Sequence, residues 1–333
     1  MTEKLMRSIS IGSDLGIKIV ETPAPMPLDD EIIVAPIAGG ICGTDLHIVK
    51  GEFPQALFPV VPCHEFSGTV VAVGRNVIRF REGDLVTADP NVSCGACRWC
   101  LMSRPNLCVR LAVIGVTRPG AAAELVAVPA RCSHLLPKSV TPDLGAMIEP
   151  LACACNAVDR AGNLRGRRIL VMGSGVMGLL ITIVAGRMNA GEIWVSDPSE
   201  AKHGIARLVG AAHTVTPQQL EGERFDIVFE ASGAPPATKQ VMALLNPTGI
   251  WMQVGVLAPE TSVAIRPFDV FDRELSIIGS NSLADKFPNA VELMPDIIEQ
   301  AKHLITGKVS VWSFDSALAS ARSMTSVKTQ LFF

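Results

Sequence analysis

Apolar positions fall into two rhythms along this chain. Up to about residue 150 they form short runs closed by Gly and Pro, such as Glu31-Ile-Ile-Val-Ala-Pro36 and Gly68-Thr-Val-Val-Ala-Val-Gly74. That punctuation predicts strands joined by turns. From about residue 165 the runs alternate with helix-length spans. Arg168-Ile-Leu-Val-Met172 reads as a strand followed by a helix to about Asn189, and Ile193-Trp-Val-Ser196 as a strand followed by a helix from Ser199 to Val209. Asp226-Ile-Val-Phe229, Gly249-Ile-Trp-Met-Gln-Val254 and Leu275-Ser-Ile-Ile-Gly279 continue the series. Strands alternating with helices predict a parallel, doubly wound sheet, so the fold class is α/β. The last strand-like run, Thr329-Gln-Leu-Phe-Phe333, is expected to return to the first domain.

One stretch could be read differently. Ile169 to Gly186 holds 18 residues without a charge, the lower edge of a membrane span. Gly173, Gly175 and Gly178 near its start, and Arg167, Arg168 and Arg187 at its ends, argue for a strand, a glycine turn and a buried helix instead. Composition agrees: 333 residues, 48% hydrophobic, suit two domains with ample cores. A net charge of -3 without any basic run gives no electrostatic case for nucleic acid or an anionic membrane as partner. Glu3, Lys4 and Arg7 stand where the apolar stretch of an export signal would lie, so a cytoplasmic location is expected.

Val171-Met-Gly173-Ser-Gly175-Val-Met-Gly178 places G-x-G-x-x-G directly after a strand and at the opening of a helix. In that context the three glycines serve a tight turn, backbone approach to a diphosphate, and close helix–strand packing. Gly173, Gly175, Val176, Met177 and Gly178 are therefore candidate dinucleotide contacts, with Val254 at the end of a later strand. Asp197 ends the second strand, 19 residues beyond Gly178, where an acid can bind ribose hydroxyls. A carboxylate there repels a 2′-phosphate and favours NAD. Lys202 and His203 nearby keep NADP open.

Cys94, Cys97, Cys100 and Cys108 fall within 15 residues. Such spacing lets one loop wrap an ion in four thiolates, a closed structural zinc site. Disulfides are the alternative, but nine cysteines is an odd count. Elsewhere Cys42, His64 and Glu149 offer sulfur, nitrogen and oxygen, the mixed set of an open catalytic zinc. They are dispersed, and residue type alone leaves a structural reading open.

The chain resembles the zinc-dependent medium-chain dehydrogenases, in their polyol (sorbitol-like) and threonine dehydrogenase branch. The resemblance rests on Gly40-Ile-Cys42-Gly-Thr44-Asp45-Leu-His47, Cys63-His64-Glu65, the four-cysteine lobe, Glu149-Pro-Leu-Ala152, the glycine turn and Asp197, and it spans the whole length. It implies a β-rich GroES-like catalytic domain over residues 1–152 and 290–333 and a Rossmann NAD-binding domain over 153–289. Carried over, Cys42, His64 and Glu149 resemble the catalytic zinc ligands, Glu65 an exchangeable fourth ligand, and Asp45 a carboxylate orienting His64. Thr44 and His47 resemble a proton relay, and Lys328 a basic residue near the diphosphate and Glu65. The implied cofactors are one catalytic and one structural Zn2+ and NAD, with NADP possible.

The implied reaction is oxidation of a secondary alcohol, a polyol above all, to a ketone. Threonine or aldose oxidation by the same machinery is the alternative, and a catalytically silent dinucleotide-binding protein a more distant one. A homodimer or homotetramer is implied, with residues 259–272 a candidate interface. Phe53, Trp99, Leu111 and Phe287 are candidate pocket residues, each equally able to sit in a core. Two positions depart from the family pattern: Cys63 replaces a glycine before His64, and Asn156 stands where a histidine is common.

Overall fold

The chain divides into two units in a computed structural model that describes residues 4–333. One comprises Met1–Glu149, Phe287–Ile298 and Ile305–Phe333, the other Pro150–Lys286 and Glu299–Leu304. Glu3, weighed above against an export signal, lies outside the described residues.

In the first unit, β-branched and aromatic runs build a seven-stranded sheet. Its path is Ile305–Ser310, Lys328–Phe332, Glu31–Gly40, Glu65–Val73, Leu85–Ala88, Ser133–Leu135, with Val126–Pro129 paired to Glu31–Gly40 off that path. Side-chain alternation sends Ile32, Val34, Phe66, Val70, Val86 and Val128 into one buried cluster. The C-terminal run does return to this unit: Gln330 lies opposite Gly40, antiparallel. On the other side of the same strand, Gly40 lies opposite Glu65. Gly39 and Gly40 thus stand between the segments that carry Glu65 and Lys328. A short helix, Gly43–Ile48, follows directly.

In the second unit, six parallel strands are ordered third, second, first, fourth, fifth, sixth. They are His213–Val215, Glu192–Ser196, Arg168–Met172, Phe225–Glu230, Leu245–Gln253 and Ser276–Gly279 in that spatial order. This is the doubly wound order, which reverses between the first and fourth strands, where such sheets open a ligand crevice. Leu170, Met172, Phe225, Val228, Val241, Leu244 and Trp251 form one buried cluster within this unit. The uncharged stretch splits into the strand Arg168–Met172 and a 12-residue helix, Val176–Arg187, buried from Gly178 to Ala185. At about 18 Å that helix falls well short of a bilayer core. No helix among the described residues is long and apolar enough to cross a membrane.

Some elements differ from the sequence reading. The span from Ser199 opens as a 3-10 turn, Glu200–Lys202, before the α-helix His203–Leu208. Strand His213–Val215 is unforeseen, because three residues are too few for a periodic signal. Helix Ile148–Arg160 was also not predicted.

Candidate active site

In the first unit Cys42 meets the adjacent pair His64 and Glu65. The Cys42 Sγ, one ring nitrogen of His64 and one carboxylate oxygen of Glu65 lie within 4.8 Å of one another. Strand pairing brings Glu65 to the end of Glu31–Gly40, two residues before Cys42. Asp45 then ties the loops together. Fully buried, it accepts the Cys42 N–H at 2.8 Å and the Cys63 N–H at 3.4 Å. Both its hydrogen bonds go to backbone amides, so its effect on His64 is through charge.

The surroundings of His64 are strongly polar. Burial alone would push the His64 pKa down, yet Cys42, Asp45 and Glu149 outweigh it and hold the imidazole well above its ordinary value. Burial likewise pushes the Asp45 carboxyl up. His64 Nδ1 is buried with no hydrogen-bond partner. Mixed sulfur, nitrogen and oxygen donors gathered within 4.8 Å, beside a buried imidazole nitrogen without a partner, fit a divalent ion such as zinc.

The expected ligands are only partly gathered. Glu149 is buried in the first turn of helix Ile148–Arg160 but is not one of the three within 4.8 Å. Its charge still reaches His64 and Lys328. Lys328 is enclosed: its Nζ pairs with Glu65 and donates to the Ile41 carbonyl at 2.9 Å. Thr44 and His47 stand one helical turn apart, so they share a face. Thr44 Oγ1 lies 3.8 Å from Cys42 Sγ.

Cys63 sits at φ +75°, a left-handed conformation that suits glycine and costs a side chain roughly 1 kcal/mol. Its buried thiol donates to the Glu65 carbonyl at 3.3 Å, and burial pushes its pKa well up. It is a neutral packing group. Phe287, weighed as a pocket residue, is 1% exposed and packs on the His134 ring at 5.1 Å, so it belongs to the core.

Cys94, Cys97, Cys100 and Cys108 also cluster within 4.8 Å. Sulfur separations are 3.6 Å for Cys97–Cys100 and 4.0 Å for Cys94–Cys100. A tetrahedron of sulfurs around zinc has edges of about 3.8 Å, whereas a disulfide needs about 2.05 Å. All nine cysteines are free thiols. Amides of Ala96 and Cys97 lower the Cys94 pKa to about 5, toward the thiolate that a metal needs.

The glycine turn of the second unit is built as a cradle. Gly173 holds φ +101°, and a Cβ there would meet Ser232 at 3.0 Å. A Cβ on Gly178 would overlap the Gly173 carbonyl oxygen. At Gly175 a Cβ would meet nothing, so the space beside the turn is open. Val176 and Met177 open the helix, whose first amides have no intrahelical partners. Asp197 accepts the Ser174 N–H and the Ser199 N–H, each at 2.8 Å, and is 7% exposed. The Val254 N–H is committed to the Glu230 carbonyl at 2.9 Å.

Sequence reasoning missed Glu230. Completely buried, its carboxylate accepts from the Ser232 N–H at 2.9 Å, the Gly233 N–H at 3.1 Å and Gln253 Nε2 at 2.7 Å. It stitches together the ends of the fourth and fifth strands. The available signal was an acid closing an apolar run. Glu52, paired with His47, was missed as well.

Comparison with known proteins identifies the family. Residues 28–138 match the alcohol dehydrogenase GroES-like domain, and residues 176–296 match the zinc-binding dehydrogenase domain. The chain is 31% identical over 280 residues to D-altritol 5-dehydrogenase from Agrobacterium fabrum, covering 82% of this chain and 83% of that one. It is 32% identical over 294 residues to L-threonine 3-dehydrogenase from Pyrococcus furiosus, covering 84% and 83%. Among solved structures, a zinc-binding dehydrogenase target from Sinorhizobium meliloti 1021 bound to NADP superposes with a TM-score of 0.94 at 32% identity, covering 99% and 100%.

Proposed function

Since this chain belongs to the zinc-binding alcohol dehydrogenase family, we propose that it oxidises a polyol to a ketose at a secondary alcohol, reversibly and with NAD. It is a zinc- and NAD(P)-dependent oxidoreductase acting on CH–OH groups. The observation that carries the reading is the gathering of Cys42, His64 and Glu65 donor atoms within 4.8 Å, in a chain that also holds an open glycine cradle.

Cys42, His64 and Glu65 would hold the catalytic ion, with Glu149 as a further ligand and Glu65 able to exchange between the ion and Lys328. When bound, zinc supplies the Lewis acidity that lowers a hydroxyl pKa, and NAD supplies the hydride acceptor. Asp45 fixes the loops that present Cys42 and His64. Thr44 and His47 carry the released proton toward solvent. Amides of Gly175, Val176 and Met177 hold the diphosphate, Asp197 the ribose, and Val254 lines the far half of the crevice. The four-cysteine lobe holds the structural zinc.

Initial rates on xylitol, sorbitol, arabinitol, threonine and glucose, each with NAD and NADP, test substrate and cofactor together. Turnover confined to threonine would replace the polyol reading by the one that the Pyrococcus relative suggests. Cys42→Ala and His64→Ala should abolish turnover while leaving NADH binding nearly intact. Full activity in either variant would overturn the site.

The protein would act as a homo-oligomer in the reducing cytoplasm, which suits its nine free thiols. Strand Ser276–Gly279 ends the sheet order, with Ile277 45% exposed, and the nearby helix Pro267–Asp272 exposes Phe268 at 61% and Phe271 at 79%. An open edge beside exposed aromatics suits burial against a second copy. Light scattering on the wild type and on Phe271→Glu tests it, since the variant should shift toward monomer.

A further inference from the structure

His47 does not stand alone. Its Nδ1 lies 2.9 Å from Glu52 Oε2, and the Glu52 N–H donates to the His47 carbonyl, also at 2.9 Å. Gly51, at φ +72°, makes the turn that folds Glu52 back over the helix end. The pair is reached by water, with 32% of the His47 side chain and 50% of the Glu52 side chain exposed. Lys50 Nζ lies 4.0 Å from the same Glu52 oxygen. Asp45, on the same short helix, is taken up by the Cys42 and Cys63 amides.

A carboxylate can only accept, so this contact puts the ring proton on Nδ1 and leaves Nε2 as the free acceptor. We propose that Glu52 is a positioning residue for His47, holding the tautomer whose Nε2 can take a proton from the Thr44 side of the helix. This rests on the alcohol dehydrogenase reading of the site. As a proton arrives, an N–H bond forms at Nε2 while the donor O–H bond breaks. The resulting imidazolium keeps Nδ1–H on Glu52, and the proton passes to water. Without the carboxylate, the ring divides between two tautomers, one of which cannot accept at Nε2. The logic is that of any carboxylate that orients a histidine base.

Long-range imidazole 1H–15N spectra give the tautomer directly, and the His47 signal is the one missing from His47→Gln. Wild type should show the Nδ1–H form, and Glu52→Ala a mixture with the Nε2–H form. In kinetics, Glu52→Ala should lower kcat about fivefold with zinc content and the KM for NAD unchanged. Glu52→Asp should recover part of the loss. The decisive arm is the double variant: in the His47→Gln background, Glu52→Ala should cost nothing further. An equal loss in both backgrounds, or a ring tautomer indifferent to Glu52, would overturn the proposal. A wild type that turns over no alcohol would count against the functional reading, and the ring spectrum would still decide the role of Glu52.

Discussion

The Glu65 carboxylate and the Lys328 ammonium form an ion pair with 1% of either side chain exposed. Gly40 makes room for it, since a Cβ there would overlap Glu65 Oε2 and come within 2.8 Å of Lys328 Cε. Burial by itself would lower the Lys328 pKa, but Glu65, Cys42 and Glu149 more than compensate and raise it. Two charges this enclosed cost much to separate, because removing one strands the other.

Lys328→Met should therefore destabilise the protein by about 3–5 kcal/mol in urea unfolding. The double variant Glu65→Gln/Lys328→Met should recover most of that, because no bare charge remains. Equal losses in the single and double variants would mean that side-chain packing, not the charge pair, sets the cost.

Metal removal should proceed in two stages. The mixed site, with fewer sulfur ligands, should release zinc first to dipicolinate, ending turnover while far-ultraviolet circular dichroism stays unchanged. The four-thiolate site should release its zinc only to stronger reagents or on heating, with loss of thermal stability. Elemental analysis should give two zinc ions per wild-type chain and one per chain in Cys42→Ala. Two in that variant would remove Cys42 from the ligand set.

The second unit was largely legible from the chain. Parallel strands are covered on both faces and so appear as unbroken apolar runs, and Arg168–Met172 has the limits its sequence suggests. The four-cysteine lobe was readable because its ligands are local. Residue type suggested a mixed site and the resemblance strengthened it, but neither could supply its convergence, which depends on Gly40 lying opposite Glu65, a register no local pattern encodes. For the same reason Glu52 and Glu230 passed unnoticed. Each acts through a turn that returns it to a neighbour, and a lone acid in sequence carries no sign of that.

The glycine turn allows a sharp contrast. Gly175→Ala should fold as well as wild type, since its Cβ meets no atom, yet weaken NADH binding at least tenfold by filling the cradle. Gly178→Ala should be destabilised even without cofactor, because its Cβ overlaps the Gly173 carbonyl. Thermal melts with and without NADH separate the two. Unimpaired NADH binding by Gly175→Ala would remove the diphosphate from this turn.

The pH dependence of stability should carry a mark of Asp89. Burial pushes its carboxyl up to about 7; the Asn91 amide, donating at 2.8 Å, pulls it back and Glu149 adds to the rise. A folded-state pKa above the unfolded value means that the native state holds a proton the unfolded chain has released. The contribution to stability is therefore full below about pH 4 and is lost as pH rises toward about 7. Asp89→Asn keeps the acceptor for Asn91 but does not titrate. Relative to wild type, it should gain about 2 kcal/mol between pH 4 and pH 7.5, less than the full shift because the group is not wholly enclosed. Urea unfolding at four pH values across that window measures the gain. Parallel curves for the two proteins would mean that Asp89 is ionised throughout in the native state.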